Sequence, residues 1–456
     1  MNTRIVFLAL TSFAIVCHAS THAQQTVISA SGQEAATFNK AKMDSFFTVL
    51  EANNKAMGSI ALMQGGKIVY TRAVGGKAIE GEALQKSDEM TKYRIGSITK
   101  MFTAVLIFQL IESGKLKLET KLSKYYPTIP NADKITISNL LNHQSGIHSV
   151  TDGEEYLKWN TVAKTKKELL DMMVKSGPDF EPGSKSNYSN SNYILLGYIA
   201  EDITKQPYSR IIKERITDKA GLKSTYVGGA INTAKNESKS FIFKAIWKPE
   251  AETDMSIPGG AGALVATPSD LTRFADALFH HKILSKESLA KMMEINKGYG
   301  MGMFQLPFYD KKAYGHTGGI DGFSSVLCYF PGDDVSIAYC SNGEAYPVNS
   351  VLIGALSIYF KKPYTIPTFS NYKVPEALMD KYAGSYAAAN FPMKIKVFKE
   401  DGALMAQATG QPSFPLEAVE MHKFKFDPAR LTMTFDPEKN QMTLLQGGMN
   451  VLFTKE

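Results

Sequence analysis

Apolar positions along the chain recur with two periods, and the periods divide it into stretches of different kind. From Phe38 to Leu50 they return every three or four residues, which predicts an amphipathic helix. Ser59 to Met63 and Lys67 to Thr71 flank Gly65-Gly66 and predict a hairpin. Met101, Phe102, Val105, Leu106, Leu110 and Ile111 line one side of a helix whose other side is largely covered by Ala104, Ile107 and Phe108, ending near Gly114. A helix apolar nearly all round belongs in the middle of a fold. Lys115 to Met255 shows helical patterns at Lys166 to Val174 and Tyr193 to Ile203 and no run of strands, so it reads as mainly helical. A loop is expected at Pro258 to Gly262. At Thr267-Pro268-Ser269-Asp270 a helix should start, with Thr267 as cap and Asp270 closing a capping box. Strands return at Met301 to Leu306, Ala313 to Thr317, Phe323 to Phe330 and Val335 to Cys340, and Val348 to Phe360 reads as a helix.

The strands at the two ends of this region can join into one antiparallel sheet. That gives an α/β fold of the α+β kind, a sheet flanked by helices with a mainly helical subdomain. Pro363, Pro367 and Ser370-Asn371 mark a linker. Beyond it Met393, Ile395 and Val397 alternate with Lys394 and Lys396, Asp401-Gly402 signals a turn, and Leu431 to Phe435 and Met442 to Leu445 repeat the strand pattern. Residues 373–456 are therefore expected to form a small all-β domain after a larger domain at 38–362.

Arg4, the apolar run Ile5 to Val16 and the small-residue stretch Ala19 to Ala23 have the layout of a cleaved signal peptide over 1–23. Export follows, to the outside or the periplasm. No stretch reaches the roughly 20 apolar residues of a spanning helix. Apart from Cys17 in the leader, Cys328 and Cys340 are the only thiols. If Phe330 pairs with Val335, they point to opposite faces of one hairpin and cannot form a disulfide. With 456 residues and 44% hydrophobic content, the fold can rest on its core. The formal charge of +7 is carried by lysines scattered among acids, which does not indicate a nucleic-acid partner and suits an anionic cell wall.

Ser97-Ile98-Thr99-Lys100 opens the apolar helix directly after Gly96. Three residues apart on a helix, Ser97 and Lys100 share a face. In a dry pocket a lysine loses its preference for charge and can act as a base, while the helix N-terminus offers N–H groups to an oxyanion formed at the serine. Tyr188-Ser189-Asn190 sits in a polar loop before the helix at Tyr193, where a phenol can relay a proton. His316-Thr317-Gly318-Gly319 sits at a strand end, where Thr317 can hold a carboxylate and the Gly319 N–H can complete an oxyanion hole. Each motif taken singly also has an ordinary reading as a cap, a packed tyrosine or a structural histidine.

Taken in order, the three motifs resemble the signature set of the serine β-lactamase and penicillin-binding protein superfamily, S-x-x-K, then Tyr or Ser, then K-T-G or a variant. Leu140 to Gly146 and Gly259 to Leu264 look like further segments of it, and the likeness spans roughly 38–360. The resemblance implies Ser97 as nucleophile, Lys100 as base and Tyr188 as relay. It further implies Asn190, His316, Thr317 and Gly318 on the substrate, and the N–H groups of Ser97 and Gly319 as oxyanion hole. His316 stands where the usual β-lactamases carry lysine, and Tyr-Ser-Asn with His-Thr-Gly is similar to the soluble DD-carboxypeptidases. There is no Glu-x-x-Leu-Asn segment of the class A kind.

The expected activity is a serine hydrolase forming an acyl-enzyme at Ser97, of DD-carboxypeptidase type, on D-Ala-D-Ala or related amides. A class C type β-lactamase, an esterase or D-aminopeptidase, and a non-catalytic wall-binding sensor are the alternatives. Substrates would be peptidoglycan stem peptides, β-lactams or esters. No Gly-x-Ser-x-Gly, His-Glu-x-x-His, C-x-x-C or phosphate loop is present, so neither cofactor nor metal is expected.

Overall fold

The computed structural model describes residues 38–456 except 81–82, 245, 371, 390, 401 and 412. The leader at 1–23, with Cys17, lies outside the described residues, as do Asn371 of the expected linker and Asp401 of the expected turn. The described chain divides into two compact units, one formed by 57–240 with 249–343, the other by 38–56, 241–248 and 344–456.

The first unit is built on a sheet whose main path runs in the order Phe304–Phe308, Lys311–Ile320, Phe323–Phe330, Val335–Glu344, Ala56–Gln64, Lys67–Val74. The sequence places the first and last strands of this path some 240 positions apart, and they join because Val335–Glu344 lies beside Ala56–Gln64. Gly58 marks that junction: a Cβ there would stand 2.2 Å from the Cys340 carbonyl oxygen. Phe330 pairs with Val335, so Cys328 faces Ile337 and Cys340 faces Ser325, and both thiols are buried and free.

Thr99–Glu112 is the central helix of this unit, with every residue from Thr99 to Leu110 buried. Its Phe102 stacks on Phe274 at 3.6 Å between ring centres. Helices at Lys166–Ser176, Asn190–Thr204 and Pro268–Phe279 complete the helical part. Pro258 to Gly262, expected as a loop, contains a single helical turn, Gly259–Gly262. Gly197 and Gly260 let it lie against the Asn190 helix, since a Cβ on Gly260 would come within 2.6 Å of the Tyr193 carbonyl oxygen.

Two further expectations need correction. Thr267 caps its helix by accepting from the Asp270 N–H, but the Asp270 carboxylate does not close a box; it accepts from the Ser224 N–H at 2.6 Å and from the Thr225 hydroxyl. A tertiary partner has outbid the local one. The region Lys115 to Met255 also contains short strands, Tyr226–Val227, Phe241–Lys244 and Ile246–Pro249, too brief for a period of two to register.

In the second unit the helices Lys40–Ala52 and Val348–Tyr359 pack together, with Gly354 leaving room for the Phe46 ring. The remainder is a closed eight-stranded antiparallel barrel from Gly384–Ala388 to Met449–Lys455, sealed where Tyr386 pairs with Lys455. Tyr386, Ile395, Val397, Leu404, Met433, Phe435 and Phe453 fill it, and Tyr382 of the preceding short helix stacks on Phe435. The all-β expectation for the C-terminal part holds. Among the described residues no helix is long and apolar enough to cross a membrane.

Candidate active site

Gly96 has a φ of +49°, and the tight turn it permits launches the chain through Gly96–Ile98 into the central helix. Lys100 follows one turn later, and its side chain is wholly buried. Its Nζ lies 2.9 Å from Ser97 Oγ, 2.7 Å from Asn190 Oδ1 and 2.8 Å from the Ala261 carbonyl oxygen. Burial holds the Lys100 amine well below the usual lysine range. The Ala261 carbonyl and Asn190 Oδ1 only accept, so each takes an N–H of the Lys100 amine, and the third position of the nitrogen faces Ser97 Oγ. The Asn190 amide is anchored at its other end, Nδ2 donating to Thr151 Oγ1 at 2.6 Å.

Tyr188 hydrogen-bonds Ser97, and its ring lies 4.8 Å from Lys100 Nζ. Burial pushes the phenol well above its ordinary value, the bond to Ser97 opposing, so the hydroxyl keeps its proton at neutral pH. The ring stacks on His143 at 4.4 Å. His143 Nδ1 accepts from the Ser189 N–H at 3.2 Å and lies 3.3 Å from Asn192 Nδ2, tying Leu140 to Gly146 to the tyrosine loop. Tyr299 and Phe304 continue the aromatic wall to His316, the Phe304 and His316 rings being 4.5 Å apart.

His316, Thr317, Gly318 and Gly319 all lie on the strand Lys311–Ile320. On one edge it pairs with Phe323–Phe330, Thr317 opposite Val326 and Gly319 opposite Ser324. On the other, pairing with Phe304–Phe308 stops at Gly315 opposite Phe304. Gly96 and Gly319 nearly touch, since a Cβ on Gly96 would come within 2.8 Å of the Gly319 nitrogen and oxygen. Gly318 lies as close to Ile95, whose carbonyl oxygen would stand 2.0 Å from an added Cβ. His316 is buried and held neutral, its imidazole pushed down to about 3, chiefly by burial. Its Nδ1 is bonded to the Thr317 carbonyl, which only accepts, so the ring proton resides there.

Ser97, Lys100, Tyr188, Asn190 and the His316 strand are thus brought together. Sequence reasoning did not single out Thr151, the Ala261 carbonyl, Tyr299 or Phe304; they come from separate segments, Ala261 from the helical turn Gly259–Gly262 and Phe304 from the start of a strand, and no spacing ties them to the serine. Away from the site, Asp276, His280 and Asp334 present possible metal-ligand atoms within 4.8 Å of one another. The His280 ring nitrogens lie 3.0 Å from Asp276 and 3.4 Å from Asp334, and Lys282 forms an ion pair with Asp276.

The beta-lactamase family model matches residues 46–353, about two thirds of the chain. The chain belongs to the beta-lactamase family. It is a serine hydrolase of this superfamily, and its relatives fit that placement. A penicillin-binding protein of Bacillus subtilis (strain 168) is 27% identical over 82% of this family member and 88% of the relative. A D-stereospecific amidohydrolase from Streptomyces sp. is 27% identical with a TM-score of 0.60, covering 70% of this chain and 98% of that one. The fold of the octameric penicillin-binding protein homologue from Pyrococcus abyssi covers 91% of this chain and all of that one, at 24% identity and a TM-score of 0.62.

Proposed function

We propose that the protein cleaves amide or ester bonds next to a D-configured residue through an acyl-enzyme on Ser97, with D-Ala-D-Ala stem peptides of the cell wall as first candidates. The observation that carries this is the wholly buried Lys100 amine 2.9 Å from Ser97 Oγ, held by burial well below the usual lysine range. Lys100 takes the Ser97 proton as Oγ attacks the substrate carbonyl. The N–H groups of Ser97 and Gly319 receive the oxyanion, and Asn190, Thr317, Gly318 and His316 hold the substrate. The leaving amine receives its proton from the Tyr188 phenol, which recovers it from Lys100; water then attacks the ester to release the acid and free Ser97.

Support comes from the likeness to a penicillin-binding protein and to a D-stereospecific amidohydrolase. A second reading is favoured by His316: a neutral imidazole offers a terminal carboxylate no charge, which suits amides or esters of single D-amino acids. The proposal extends to the frame, with a hydrolase domain at 38–362, a barrel domain at 373–456 and a leader at 1–23 that sends the protein to the cell envelope.

D-Ala release from an acyl-D-Ala-D-Ala peptide, measured beside ammonia release from D-amino-acid amides, separates the two readings. Peptide turnover that Ser97→Ala abolishes supports the first, and amide turnover alone supports the second. Turnover that survives Ser97→Ala overturns both.

A further inference from the structure

The two N–H groups assigned to the oxyanion come from different segments, Ser97 from the start of the central helix and Gly319 from the end of a strand. Oxyanion stabilisation depends on their spacing to within tenths of an ångström. Arg94 stands three residues before Ser97, and Asp321 two residues after Gly319. Arg94 Nη1 donates to Asp321 Oδ2 at 2.8 Å and to the Thr253 carbonyl at 2.9 Å, while Nη2 donates to the Gly229 carbonyl at 2.9 Å. Asp321 Oδ1 in turn accepts from the Thr253 N–H at 3.0 Å. Both side chains are sealed from water, at 2% and 1% exposure.

We propose that Arg94 and Asp321 are positioning residues that fix the separation of the Ser97 and Gly319 N–H groups. Taking two charges out of water is costly, and a clamp that served stability alone would be met as well by apolar side chains. What an ion pair with a planar fork adds is direction: three acceptors in fixed places hold the guanidinium in one orientation. The clamp acts at both ends of a close contact. Ile95 follows Arg94, and its carbonyl receives the Ser325 hydroxyl at 3.0 Å and abuts Gly318. Asp321 holds a φ of +52°, turning the chain immediately after Ile320. With the pair intact, Gly319 is pressed against Gly96; without it, the turn after Gly319 loses its tether to the segment that carries Ser97.

This rests on the oxyanion assignment above. The test is Asp321→Asn, nearly isosteric, followed by the rate of Ser97 acylation against concentration of a fluorescent penicillin, by phenylboronic acid binding and by thermal melting. Positioning predicts a limiting acylation rate lower by about 10–100-fold, a half-saturating concentration within about twofold of wild type and about tenfold weaker boronate binding in folded protein. Arg94→Lys, which cannot serve three acceptors from a fixed fork, should give the same signature and is read alone if Asp321→Asn fails to fold. A lower melting temperature with normal acylation and boronate binding overturns the role. A wild type that neither penicillin nor boronate engages overturns the acyl-enzyme reading and this inference with it, whereas an active wild type matched by its variants overturns only the positioning.

Discussion

Lys100 Nζ sits 2.9 Å from Ser97 Oγ with no exposed surface of its own, and its two remaining contacts are to groups that can only accept hydrogen bonds. Burial holds the amine well below the usual lysine range, which favours the base role proposed for it. Lys100→Met keeps the length and apolar body of the side chain while removing the lone pair. Acylation of Ser97 should slow by about 10²–10⁴-fold in stopped-flow labelling, with near-normal melting. Near-normal rates would remove the lysine from the mechanism.

Tyr188 contributes a hydroxyl to Ser97 and a ring face to His143. Tyr188→Phe retains the face and loses the hydroxyl. Turnover should fall by about 10²-fold or more while the melting temperature stays close to wild type. A loss of stability that tracks the loss of rate would assign the residue to packing alone.

Gly96 meets two demands that alanine cannot, a φ of +49° and a contact at which a Cβ would stand 2.8 Å from Gly319. Gly96→Ala should cost about 1–2 kcal/mol from the left-handed backbone alone. It should lower acylation further by displacing one N–H from the other. Denaturant titration and labelling rate on one preparation check both parts, and full activity would show that the Gly96–Gly319 contact does not matter for the reaction.

His316 and His143 are buried neutral, and burial lowers both imidazoles, His316 to about 3. An unfolded histidine binds a proton below about 6.5, so between about 3 and 6.5 the unfolded chain holds more protons than the folded one, and folding stability falls as pH falls. Each such histidine contributes a slope of up to about 1.4 kcal/mol per pH unit. The denaturation midpoint should drop steadily from pH 7 toward pH 4, and His316→Gln should flatten the curve. An unchanged slope would mean that His316 titrates normally.

How much of this was legible in the sequence follows from the range of each interaction. Helix and strand periods lie within a dozen residues, so the central helix, the hairpin Phe323 to Cys340 and the alternation of the barrel strands could be read directly. The register of Cys328 and Cys340 followed from one pairing at the turn. Ser97 and Lys100 were legible because a single helical turn joins them. Asp270 misled because Ser224 and Thr225, 45 residues and more away, offer it hydrogen bonds that compete with its own helix. Thr151, the Ala261 carbonyl and the Arg94–Asp321 pair were invisible for the same reason: Thr151 reaches Asn190 across 39 residues, Ala261 reaches Lys100 across 161 and Asp321 reaches Arg94 across 227, through contacts that exist only once the fold has formed. The His316 substitution was visible, but the burial that makes the ring neutral was not.

The most direct test of acyl-enzyme chemistry at Ser97 is intact-mass spectrometry of the protein mixed with a penicillin, sampled from seconds to hours, with peptide mapping of any adduct. A mass increase equal to the drug, mapped to Ser97 and absent from Ser97→Ala, is the predicted result, its lifetime separating a long-lived penicillin-binding adduct from β-lactamase turnover. An adduct of the same mass on Ser97→Ala, or on a residue elsewhere, would contradict it.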